Sequence, residues 1–301
     1  GPLTFIESIF EDSKNNIWFS NSSNDIDTSI VAKINTKTHL TKTYPYRTRA
    51  RKFNDILLNG DILDSEADKN VWLRDNTGNV LVLNKEKDEF EMIIQSGSEI
   101  PGSGITDTIR SITKGNKDYF LMSGDHNLFI WDPLKKESIE SYTNLTDKDN
   151  TLINNKINYT FKDALGQYWV VHQDDKITLI DPVNKTTTKL TYGEDPLNFK
   201  NSIKGPLNQF IPIFQDQNGI WFHIWSSDSH AFLFYQHSTK SFTYYNLQFN
   251  DAKNAITPSS YLFKALKDNT GLLWIGGRPN FYKQSPKTRQ MELFRHDKED
   301  N

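Results

Sequence analysis

The 301-residue sequence predicts an all-β protein made of six four-stranded antiparallel units. Three observations carry the prediction. First, one design recurs: an apolar strand, an Asp-led polar turn, then a strand opening on Trp. It stands at residues 9–19, 160–169, 213–221 and 265–274, and in worn form at 62–72 and 112–120, where Phe120 replaces Trp. The markers fall at 18, 72, 120, 169, 221 and 274, a period near 50 residues, which is the signature of a repeat architecture. Second, the segments between markers alternate apolar and polar residues and are rich in β-branched and aromatic side chains. Third, no window carries an apolar stripe at helical spacing.

Each unit reads as strands A to D. Strand A leads into the Asp turn, and strand B opens on the marker. Strand C follows a short polar stretch, as in Val80-Leu-Val-Leu83, Leu128-Phe-Ile-Trp131, Ile177-Thr-Leu-Ile180 and Phe232-Leu-Phe-Tyr235. Asp132-Pro133 and Asp181-Pro182 then open tight C–D turns, because Pro presets φ and Asp can bond the backbone just ahead of it. Strand D alternates, as in Glu89-Phe-Glu-Met-Ile93 and Ser241-Phe-Thr-Tyr-Tyr245. A lone four-stranded unit cannot bury both faces, whereas units stacked around an axis bury them and leave only short edges. The expected fold is therefore a β-propeller of six four-stranded blades, or a stretch of a longer array. The marker tryptophans are expected to pack between blades; the competing reading is a platform for stacking sugars. Asp163, Asp216 and Asp268 are expected to form turns rather than act as catalytic carboxylates.

The run from strand A through Asp-x-x-Gly to x-Trp resembles the repeat of the two-component regulator propellers. Trp274-Ile-Gly-Gly277 keeps a glycine of that repeat, which Trp18-Phe-Ser-Asn21 and Trp169-Val-Val-His172 lack. Ile130-Trp-Asp-Pro133 and Leu179-Ile-Asp-Pro182 match its strand ending, and Phe294-Arg-His-Asp297 is similar to its inter-blade linker. The resemblance implies the periplasmic sensor part of a bacterial hybrid two-component system, a class that often controls polysaccharide use. It also implies an oligosaccharide ligand, a homodimer formed through the parent receptor, and membrane attachment only through other parts of that receptor.

Repeats are expected at 5–44, 53–94, 105–143, 155–192, 207–247 and 259–295, within one domain over 4–295. Gly1-Pro2, with Leu3, looks like the remnant of a cleaved expression tag. The connection at 95–104, rich in Gly, Ser and Pro, reads as a flexible loop. That at 45–52 carries Arg47, Arg49, Arg51 and Lys52, which would attract an acidic or sulfated ligand or simply form a solvated loop. A net charge of −3, with lysines scattered through turns, leaves no electrostatic footprint for nucleic acid. The absence of Cys excludes disulfides and thiolate metal sites.

There is no P-loop, dinucleotide fingerprint, nucleophile elbow or helical His pair, so no catalytic residue, metal ligand or cofactor is assigned. The D–A and B–C segments carry the long loops and should share one face, where recognition is expected. The candidate ligand-binding residues there are Arg74, Asp75, His126, His172, His223, Trp225, Arg278 and Asn280. Aromatic, guanidinium, imidazole and amide groups together suit sugar recognition. The plainer alternatives are a local Arg74–Asp75 ion pair and separate polar loop histidines, with His230 among them. Two other functional classes stay open: a lyase or glycosidase built on a propeller, and a protein-interaction scaffold.

Overall fold

The computed structural model describes residues 4–12, 14–23, 30–44, 62–65, 67–75, 77–144, 151–154, 156–173, 176–190, 209–225, 230–246, 261–278, 281–284 and 291–294. These residues form 26 β-strands and no helix. Sheet one orders β1 (Thr4–Glu11), β2 (Asn16–Ser23), β3 (Ile30–Asn35) and β4 (Thr41–Tyr44). Sheet two orders β5 (Ile62–Asp64), β6 (Val71–Arg74), β7 (Val80–Asn84) and β8 (Glu89–Ile94). A two-stranded hairpin, β9 (Glu99–Ile100) and β10 (Ile105–Thr106), follows. Sheet three orders β11 (Ser111–Lys114), β12 (Phe120–Ser123), β13 (Leu128–Asp132) and β14 (Glu137–Tyr142). Sheet four orders β15 (Ile157–Lys162), β16 (Tyr168–His172), β17 (Ile177–Asp181) and β18 (Thr186–Leu190). Sheet five orders β19 (Gln209–Asp216), β20 (Gly219–Trp225), β21 (His230–Gln236) and β22 (Ser241–Asn246). Sheet six orders β23 (Tyr261–Lys267), β24 (Leu273–Arg278), β25 (Phe281–Gln284) and β26 (Met291–Phe294). Every sheet is an antiparallel meander in chain order, and the six correspond to the six repeats.

The register is repeated too. The marker pairs with an apolar residue of strand A: Phe10 with Trp18, Phe161 with Trp169, Phe214 with Trp221, Leu266 with Trp274. In sheets one, four and six the register slips once, three residues before that partner. Sheet five slips just after Pro212 instead, where a residue without an N–H is tolerated in a strand.

The turns explain the repeat. In the A–B turn of sheet one, Asp12 Oδ1 accepts from Lys14 N and Asn16 N, and Oδ2 accepts from the Trp18 indole Nε1 at 2.8 Å. Asp68 and Asp268 make the same bond to Trp72 and Trp274. Asp163 and Asp216 accept from the backbone of their own turns, as expected of turn formers. Three residues before the marker the backbone is left-handed, at Asn15, Lys69, Lys117, Gly166 and Gly271. The C–D turns follow a second rule. Asn35, Asn84, Asp132 and Asp181 each accept, through Oδ1, from the N–H groups two and three residues on. The residue four after each of them, His39, Asp88, Lys136 and Lys185, is left-handed.

Sheets one to four, through Lys162 and from Gly166 to Leu190, form one compact unit. Sheets five and six, with Asp163–Leu165, form a second. In the first unit the markers Trp18, Trp72 and Phe120 pack between consecutive sheets, and Trp169 stacks on Phe161 of its own sheet. Trp18 stacks on Tyr44 at 5.3 Å between centroids and meets the edge of Phe90 from sheet two at 6.0 Å. Trp72 meets Phe120 and Trp131 of sheet three edge-on. Leu121, Ile130 and Tyr142 of sheet three pack with Tyr168, Val170 and Ile180 of sheet four. Trp18, Trp72 and Trp169 are fully buried, so packing is the role of these three and a sugar platform is not. In the second unit Trp221 is half-buried against Phe234, and Phe222 and Tyr235 close on Phe242.

One expectation is corrected. Residues 95–104 are an ordered segment that carries β9. Ile100 and Ile109 are fully buried in the core shared by sheets two and three. The Ser138 N–H of β14 donates to the Pro101 carbonyl at 2.7 Å. Gly102, at φ +80°, lies against the Ser138 carbonyl, where a Cβ would come within 2.7 Å. Its glycine serves a close approach and a left-handed turn rather than mobility. The connections 45–61, 145–150, 191–208 and 247–260, including Arg47, Arg49, Arg51 and Lys52, lie outside the described residues.

Candidate functional site

Recognition is expected on the face that carries the D–A and B–C segments. Asp75 begins the β6–β7 turn, and its sequence, Asp75-Asn-Thr-Gly78, repeats that of the A–B turn Asp268-Asn-Thr-Gly271. The two fold alike. Asp75 Oδ1 accepts from Thr77 N, Thr77 Oγ1 and Asn79 N, and Oδ2 accepts from Asn79 Nδ2. The buried Arg74 guanidinium donates to the Asp75 carbonyl oxygen at 3.0 Å. The two residues are thus brought together, and the carboxylate of Asp75 serves the turn. His172 is fully buried, with Nε2 at 2.9 Å from Thr178 Oγ1 of the neighbouring strand. His223 is buried in sheet five, its ring 5.7 Å from that of Phe232. These two histidines are core residues of strands, not loop residues. The backbone of Trp225 ends β20 opposite Gln209 and His230, and that of Arg278 ends β24 opposite Tyr261. The side chains of both, and all of Asn280, lie outside the described residues.

His126 is exposed in the β12–β13 turn. Asp107, Asp125 and His126 there bring three potential metal-ligating atoms within 4.8 Å of one another. The buried Asp107 carboxylate already accepts from Thr108 N, Asp125 N, His126 N and Asn127 Nδ2. Asp125 is held by the Arg110 guanidinium. Gly124 leaves room for this carboxylate, since a Cβ there would stand 2.3 Å from Asp107 Oδ2. The cluster works as a clamp that closes the turn.

The first unit has concave space at the short-turn end. A cavity of about 340 Å³ opens between the A–B turns of sheets one and two. Sheet one lines it with Asp12, Lys14, Asn16, Trp18 and Lys33, and sheet two with Ser65, Lys69, Asn70, Lys85 and Asp88. Lys33 stands 5.7 Å over the Trp18 ring and pairs with Asp88, which also accepts from Lys42 Nζ and from Tyr44 Oη at 3.0 Å. Burial pushes the Asp88 carboxyl up, and the bonds from Lys33, Lys42 and Tyr44 more than offset it, holding the group below its ordinary value. Burial and then the Asp88 bond push the Tyr44 phenol strongly up. A second cavity, about 180 Å³, lies beside Lys114, Lys117, Asp118 and Lys162 and also reaches Ser65. Sequence reasoning passed over these lysines because each reads singly as a turn or strand residue. Superposing the repeats on their markers would have exposed two of them, since Lys69 and Lys117 occupy the same turn position.

No protein-family model matches the sequence, and no curated protein matches it. Solved structures do. The extracellular domain of the hybrid two-component system BT4673 from B. thetaiotaomicron is 14% identical with a TM-score of 0.59, over 97% of this chain and 36% of that one. The corresponding domain of BT3049 from the same organism is 15% identical with a TM-score of 0.58, over 99% of this chain and 35% of that one. YCF48 from Cyanidioschyzon merolae is 11% identical with a TM-score of 0.58, over 97% and 85%. The chain spans about a third of the length of the two bacterial domains. With the four-stranded meanders these likenesses show an all-β fold of the β-propeller kind. Among the described residues no helix is long and apolar enough to cross a membrane.

Proposed function

We propose that this chain is the ligand-sensing, extracytoplasmic propeller of a two-component-type regulator, located in the periplasm as part of an inner-membrane protein. It acts by binding an oligosaccharide, without turnover, and passes the signal on through rearrangement of a homodimer of the parent receptor. The observation that carries this reading is the fold shared over nearly the whole chain with extracellular domains of two hybrid two-component systems. The cavity between sheets one and two supports it, being of ligand size and lined by amide, hydroxyl and charged groups beside the apolar Trp18, Val71 and Leu83. The engagement of Asp12, Asp75, Asp107 and Asp268 in turn hydrogen bonds supports binding over acid–base chemistry. Calorimetric titration with a panel of oligosaccharides, paired with light scattering, tests it. Saturable binding without new reducing or unsaturated ends, and a change in association state, are expected. Turnover of any polysaccharide, lost on one side-chain substitution in the cavity, would overturn the sensor reading in favour of an enzyme.

A further inference from the structure

We infer that the two cavities of the first unit form one anion-binding track for an acidic oligosaccharide, whose sugars bear carboxylate or sulfate groups. The inference rests on the oligosaccharide-sensing reading and names its ligand class. The cavities meet at Ser65, which lines both. Among the described residues their linings hold seven lysines against three aspartates, a surplus of four positive charges on a chain whose net charge is −3.

Two of the three negative groups are already committed, and the third, Asp118, is exposed. Asp12 accepts from Trp18 and Asn16, and Asp88 from Lys33, Lys42 and Tyr44. Four lysines, Lys14, Lys69, Lys85 and Lys117, are exposed, and no ion pair among the described residues engages them. Exposed ammonium groups around a concave surface raise the local concentration of an anion and offer point charges with several donors. Lys69 and Lys117 hold left-handed backbone, at φ 55° and 50°, at the turn position where sheets four and six carry Gly166 and Gly271. The repeat's glycine is thus replaced by lysine at two of the three A–B turns that border the track, and by Asn15 at the third.

A sugar acid fits better than a nucleic acid. Single-stranded nucleic acids need exposed aromatic faces on which bases stack. The Trp18 and Phe120 rings of the track are buried, and Tyr119, partly buried, is a single ring rather than a row of platforms among the described lining residues. Ser65, Asn70 and the lysines supply donors for hydroxyl and acid groups instead.

The turn conformation provides a clean test. Glycine adopts left-handed backbone without strain, so the double variant Lys69→Gly/Lys117→Gly removes two charges and relieves two turns. Lys136→Gly, at a left-handed position outside both cavities, is the control. Hexagalacturonate (carboxylate), a heparin-derived hexasaccharide (sulfate), neutral maltohexaose and a thymidine oligonucleotide are titrated into the chain and both variants. At least one acidic sugar is expected to bind, more weakly as sodium chloride rises from about 0.05 to about 0.5 M. Its affinity should fall about tenfold or more in the double variant and stay unchanged in the control. The two acidic probes separate carboxylate from sulfate recognition. Acidic-sugar binding untouched by the double variant overturns the track, as does tighter, lysine-dependent binding of the oligonucleotide. Binding of maltohexaose alone overturns the track and leaves the sensor reading standing. No binding of any sugar overturns both.

Discussion

The indole Nε1 of Trp274 donates a 2.7 Å hydrogen bond to Oδ2 of Asp268, six residues earlier and across the A–B turn. The other oxygen of that carboxylate accepts from Thr270 N, Thr270 Oγ1 and Leu272 N. The marker residue and the turn that precedes it are therefore one device: the ring packs against its sheet while its N–H holds the turn closed.

The device depends on ionisation. The hydrogen bonds from Thr270 Oγ1 and Trp274 lead the causes that hold the Asp268 carboxyl well below its ordinary value of 3.8. A depressed folded value means that the fold favours the carboxylate. Its stabilisation is complete above pH 3.8 and is lost as pH falls through the folded value. Asp268→Asn should melt below the parent at neutral pH, and the gap should narrow on acidification below 3.8. Thermal melts across that range check this; a gap that does not vary with pH contradicts it.

Trp169 is fully buried and Trp221 half-buried. Trp169→Ala is expected to cost about 3–5 kcal/mol, as truncation of a large core aromatic does, and Trp221→Ala less. Urea unfolding of the two variants, each followed by a probe in its own compact unit, measures the difference. Equal losses would show that the half-exposed ring carries as much packing as the buried one.

Gly78 and Gly104 separate space from conformation. Both have positive φ, at +96° and +66°. A Cβ on Gly78 would stand 2.6 Å from Thr108 Cγ2 and 2.9 Å from the Ile109 carbonyl, while one on Gly104 meets nothing within 4 Å. Gly104→Ala should lose about 1 kcal/mol from backbone strain alone, and Gly78→Ala clearly more. Chemical unfolding ranks the two variants, and the reverse order would mean that the β6–β7 turn yields readily.

Alkali should act on the second unit. Burial, then the charge of Asp163, pushes the Tyr235 phenol from 10.0 up to about 12. A raised folded value means that the fold favours the neutral phenol, so its stabilisation is complete below pH 10.0 and lost as pH rises through about 12. Tyr235→Phe should flatten the loss of stability across that window. Melting temperatures measured at stepped pH decide, and parallel curves for the two proteins would exclude Tyr235 as the titrating group.

The six sheets were legible because the turn chemistry is local. In sheets one, four and six Asp, a left-handed residue and Trp fall at fixed offsets, and Asp132-Pro133 and Asp181-Pro182 announce their hairpins. The β9–β10 hairpin was not legible, because Gly102 and Gly104 read as flexibility when their φ values of +80° and +66° serve a turn. The expected recognition residues show the limit for sites. His172 and His223 are polar but lie in the core, and the Asp75 carboxylate is used by its own turn, because polarity near a strand end does not reveal which way a side chain faces. The lysines of the track stand in four different repeats and meet only when sheets pack.

The hairpin between sheets two and three has a mechanical consequence. It is fastened to β14 through Ser138 and Pro101, and the segment just beyond it clamps the β12–β13 turn through Asp107. Tension applied along the chain at this junction cannot simply peel one sheet from the next. It must also break the Pro101 bond and the three hydrogen bonds that the β12–β13 turn donates to Asp107. The junction is a strut: load entering sheet two is handed on to sheet three as displacement instead of being absorbed as slack.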